Sequence, residues 1–131
     1  MILNSKIFIS KSQINENENT VHLINPIVDL QVPFLPTTTT FFVYAAIVVS
    51  PVQNNYDAKI EIVDEKGFKV ISLSGPLNSP MSTERGFLQM HINANDVIIK
   101  NPGKHTCELY INENLEASYD FEVYNNNILL E

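Results

Sequence analysis

The stretch Asn101–Tyr124, NPGKHTCELYINENLEASYDFEVY, decides the fold by its alternation. His105, Cys107, Leu109 and Ile111 fall on one side of an extended chain, and Lys104, Thr106, Glu108 and Tyr110 on the other. Beyond the turn residues Asn112-Glu113-Asn114, Ala117, Tyr119, Phe121 and Val123 alternate with Glu116, Ser118, Asp120 and Glu122. A period of two with one apolar side marks a strand covered on one face, so this is a hairpin with a dry face and an acidic face.

The same hairpin holds the only cysteine, two residues after His105. Residues so spaced share a face, which admits a thiolate activated by the histidine. The competing reading is structural. Immunoglobulin domains carry a tyrosine two residues before a strand cysteine, its hydroxyl bonding back to the corner. Here His105 stands in that place, and Cys107 serves as a small buried hydrophobe. The surroundings favour structure, because Lys104 points away and acidic Glu108 follows.

Outward from the hairpin, the pattern stays β. Residues 2–10 alternate, and NENENT makes a turn. Residues 20–32 are β-branched, but Pro26 removes a ladder donor and predicts two short strands. Pro33–Pro36 reads as an extended connector. Residues 38–49 form a strand, 58–63 and 68–73 a hairpin about a turn at Asp64–Gly67, and 86–92 another strand. Residues 74–85 read as a loop, and NANDVIIKNPG as a short connecting segment with either one turn of helix or a brief strand at Val97–Ile99. No 3.6-residue period and no repeat is visible. Seven to nine short strands predict an all-β, antiparallel, immunoglobulin-like sandwich, one domain over 1–124 with a tail at 125–131.

Composition bounds the work such a domain can do. The chain has 131 residues, a net charge of −7, and its Lys and Arg occur singly. A nucleic-acid binder needs clustered cations to displace counterions, and an anionic membrane surface asks the same, so neither partner is expected. A lone cysteine frees the fold from an oxidising compartment, and Asn4, Ser5 and Lys6 interrupt any apolar leader core. The run FFVYAAIVV has about half the ~20 residues a membrane helix requires. The expected location is the cytoplasm.

Chemistry-bearing patterns are absent from the reading. The SGP at 74–76 lacks the glycine that a nucleophile elbow places before its serine. Glycine occurs only at 67, 75, 86 and 103, which makes no phosphate loop. His22, His91 and His105 sit on separate segments without ligand spacing, and Asp57, Asp64, Asp96 and Asp120 are isolated. No catalytic, cofactor-binding or metal residue is assigned, and no cofactor or enzymatic activity is expected.

VDLQVPFLP, FFVYAAIVV, IVDEKG and PGKHTCELYINENLEASYDFEV, in that order across most of 20–124, resemble a family of small single-domain bacterial proteins of unknown function. The resemblance implies an immunoglobulin-like sandwich. It carries over no catalytic or ligand-binding residue.

One strand exceeds what a sandwich requires. In 41–49 both faces are apolar: Phe41, Val43, Ala45, Ile47 and Val49 on one, Phe42, Tyr44, Ala46 and Val48 on the other. If the first set fills the core, Phe42, Tyr44 and Val48 form an interface unless another segment covers them. The expected function is a non-catalytic protein-interaction module that binds a protein partner or itself. The alternatives are a small-ligand or carbohydrate binder using the 74–85 loop with Tyr56 and Phe87, and a structural component of a phage or surface layer.

Overall fold

The computed structural model describes residues 2–17, 20–52, 55–78 and 84–125. Those residues form nine strands and no helix: β1 (Ile2–Asn17), β2 (Thr20–Pro26), β3 (Asp29–Val32), β4 (Thr37–Val49), β5 (Asn55–Asp64), β6 (Lys69–Asn78), β7 (Gly86–Ile99), β8 (Gly103–Ile111) and β9 (Asn114–Asn125). They make a four-stranded sheet in the order β2-β1-β4-β7 and a five-stranded sheet in the order β3-β9-β8-β5-β6. Among the described residues no helix is long and apolar enough to cross a membrane.

The alternation predicted from the sequence places the core between the sheets. Along β4, Phe41, Val43, Ala45, Ile47 and Val49 are buried while Phe42, Tyr44, Ala46 and Val48 are only half-buried. Facing them are Ile60 and Ile62 of β5, Cys107, Leu109 and Ile111 of β8, and Phe121 and Val123 of β9. Phe41 meets Phe121 edge-to-face across the two layers, with ring centroids 6.5 Å apart. Such a pair adds roughly 0.5–1.5 kcal/mol beyond the area it buries.

Pro26 divides the 20–32 stretch as expected, and the division does more than break a strand. The chain leaves the four-stranded sheet at Pro26 and joins the five-stranded sheet at Asp29. The Ile27 N–H donates to Ile9 O in one sheet, and the Glu122 N–H donates to Val28 O in the other. This crossing delivers β3 beside β9 in the same direction, pairing Asp29 with Glu122 and Val32 with Asn125. The sandwich is therefore not wholly antiparallel, which corrects the expectation.

Both predicted hairpins are present. The Gly67 N–H bonds Asp64 O at 3.0 Å, and Gly67 takes a φ of 85°, which only glycine adopts without strain. The β8–β9 turn is tighter than the sequence suggested. Ile111 pairs with Asn114, so the loop is Asn112-Glu113 alone, with φ of 50° and 71°. Two positive values in a two-residue loop mark a primed turn, whose twist matches the flanking strands.

Three boundaries differ from expectation. β1 continues to Asn17, so the polar run meant as a turn is largely strand. Residues 74–78 of the expected 74–85 loop belong to β6, paired to β5 through Asn78 opposite Asn55. β6 is an edge strand, so Pro76 needs no donor on its outer side; residues 79–83 lie outside the described set. The expected connector after residue 92 is strand, since β7 runs unbroken to Ile99. A bulge between Phe41 and Thr39 of the partner strand, with Asp96 at a φ of 54°, absorbs the polar NAND. Of the tail expected at 125–131, residues 126–131 also lie outside the described set.

Candidate interaction face

The centre and one flank of the outer side of the four-stranded sheet are built from β1, β4 and β7, with β2 beyond β1. Their register sets Asn4 opposite Val48, Lys6 opposite Ala46 and Phe8 opposite Tyr44. On the other flank, Phe87 stands opposite Val48, Gln89 opposite Ala46, His91 opposite Tyr44 and Asn93 opposite Phe42. The sequence-predicted residues Phe42, Tyr44 and Val48 thus share one face at the centre of the sheet, each half-buried. The sequence missed their neighbours Phe8, Phe87 and His91, which come from strands far apart in the chain. Alternation within 2–10 and 86–92 was visible, but no local signal states which strands lie side by side.

Tyr44 is the pivot of this face. Its ring meets His91 edge-on at 5.3 Å, and its hydroxyl donates to Gln89 Oε1 at 3.0 Å. Burial pushes the phenol pKa above its ordinary value, so the hydroxyl keeps its proton for that bond. Phe8 lies at the margin and also meets Tyr119 of β9, ring centroids 5.9 Å apart. Phe87 is 41% exposed, whereas Phe8, Phe42 and Tyr44 are half-buried.

The two outer faces divide the charge between them. The outward positions just named on β1, β4 and β7 carry no carboxylate, although the chain has 15 acidic residues. The outer side of the five-stranded sheet is the opposite case. Glu61 pairs with Lys69 at 3.0 Å and with Lys59 at 3.8 Å, and Lys104 with Asp120 at 3.4 Å. Glu108, opposite Glu61, and Glu122, opposite Lys104, add to it.

The pairing of His105 with Cys107 does not make a reactive centre. Both side chains are fully buried between the sheets. His105 Nδ1 lies 3.0 Å from Gly103 O. A carbonyl only accepts, so Nδ1 carries the proton and bonds back to the corner. Its ring leans on Phe121 at 5.2 Å, and Nε2 has no partner. The Cys107 thiol is pushed up to about 12, first by burial and then by the Glu108 charge. A thiol held there stays protonated and unreactive near neutrality.

The structure places the remaining histidines and the loop aromatics as follows. His91 is exposed on the outer side of the four-stranded sheet, whereas His105 lies in the core. The His22 side chain lies outside the described residues. Tyr56, named with the 74–85 loop as a ligand-binding aromatic, is 3% exposed and belongs to the core, which corrects that reading. A shallow groove of about 350 Å³ does involve Gly75 and Pro76, together with Asp57, Lys59, Tyr110 and Glu113. There Lys59 Nζ sits 4.7 Å above the Tyr110 ring, on a face that a sugar would need for stacking.

The chain belongs to a family of unknown function, DUF6941, which matches it over residues 8–124. No curated protein matches it. Among solved structures it is similar to a Pseudomonas fluorescens alkylpurine DNA glycosylase, AlkC, bound to DNA containing an abasic site analogue. The identity is 14% and the TM-score 0.43, over 74% of this chain and 27% of that one. A glycosyl hydrolase family 2 member from Bacteroides cellulosilyticus is similar at 11% identity and a TM-score of 0.39, over 84% and 19% of the two chains. A Bifidobacterium dentium β-glucuronidase is similar at 12% identity and a TM-score of 0.35, over 91% and 18%. The chain thus spans less than a third of the length of each.

Proposed function

We propose that this protein is a non-catalytic protein-interaction module, an immunoglobulin-like sandwich that docks a protein partner, or a second copy of itself, on the outer face of its four-stranded sheet. The observation that carries the reading is the charge division. In a chain of net charge −7, the described outward positions around Phe42, Tyr44 and Val48 on β1, β4 and β7 carry no carboxylate, and the face holds its aromatics half-exposed. Charged residues are depleted and aromatics enriched at the centres of protein interfaces, so such a face suits contact with protein.

The immunoglobulin-like part of the reading is supported by strand order. β1, β4 and β7 follow one another as A, B and E do in such domains, while β9, β8, β5 and β6 follow the order G, F, C and C′. His105 two residues before Cys107, bonded back to Gly103 O, stands in for the corner tyrosine.

The test is molar mass by light scattering over a wide concentration range, for the wild type and for Phe42→Ser with Tyr44→Ser. The reading expects concentration-dependent association that the double variant loses while staying folded. If the wild type is monomeric throughout, a pull-down with wild type and variant as bait decides the matter. Identical captures by the two would sink the proposal.

A further inference from the structure

We draw no further inference here: the strongest candidate, the apolar groove of about 460 Å³ between the edge strands β6 and β7, carries nothing, because Asp64, Glu65 and Asp96 offset Lys66 and Lys100 around it and nothing in the structure shows what covers it.

Discussion

Asp64 faces His105 across the β5–β8 ladder, at the end of the sandwich where β5 turns into β6. The carboxylate organises that end: it accepts the Lys66 N–H at 2.9 Å, the Phe68 N–H at 3.0 Å and Asn101 Nδ2 at 2.7 Å. Burial pushes its pKa up, but these bonds and the nearby imidazole outweigh burial and hold the group below its ordinary value. Glu61 is held low as well, first by the hydrogen bond from Lys69, against burial, and then by Ser72 and Lys59.

Both groups bind their proton more weakly folded than unfolded. Their stabilisation is therefore complete above the unfolded pKa and is lost as pH falls through the folded one. The melting temperature should stay level near neutrality and decline below roughly pH 4. Asp64→Asn keeps the shape but gives up the charge-assisted bonds. It should lower stability at pH 7 by about 1–2 kcal/mol and flatten the acid decline. Melting curves at several pH values check this, and parallel acid declines in the two proteins would count against it.

The thiol of Cys107 should be inert in the folded protein. A maleimide reagent at pH 8 is expected to label it only after denaturant is added, because the reactive thiolate is both buried and disfavoured. His105→Phe should leave labelling unchanged. It loses one bond to Gly103 O but also removes the partnerless Nε2, so stability should change by no more than about 1 kcal/mol. Rapid labelling of the native protein would reopen the reading of the pair as a reactive centre.

Glu113 is held at a φ of 71° in the turn of the β8–β9 hairpin, a left-handed conformation that costs a residue with a side chain. Asn112 before it already suits the position, and its side-chain oxygen accepts the Asp57 N–H at 2.9 Å. Glu113→Gly therefore completes the Asn-Gly pair that primed turns prefer and should stabilise by about 0.5–1 kcal/mol. Urea denaturation checks the sign. A loss of stability would mean that the turn does not have the stated geometry.

What could be read from the sequence was what period and punctuation carry locally. The hairpin from Lys104 to Val123, the break at Pro26 and the inward set of β4 all rest on side-chain alternation or on a missing donor. The misreadings share a cause. Gly75-Pro76 and the NAND run look like loop because their residues disfavour regular pairing, but an edge strand tolerates the first and a bulge the second. The interaction face was half legible. Phe42, Tyr44 and Val48 could be assigned to one side, but Phe8, Phe87 and His91 join them only through cross-strand register, which no local pattern encodes.

The parallel pairing of β3 with β9 has a consequence in time. The five-stranded sheet places its last-made strand between β3 and β8, which are synthesised earlier. Until residues 114–125 have emerged, β3 has no partner and β8 shows a bare edge toward the gap. Contacts that span so much of the chain slow the closing step, and open edges invite pairing with other chains. The greatest exposure to aggregation thus falls during synthesis, in the interval before the final strand arrives.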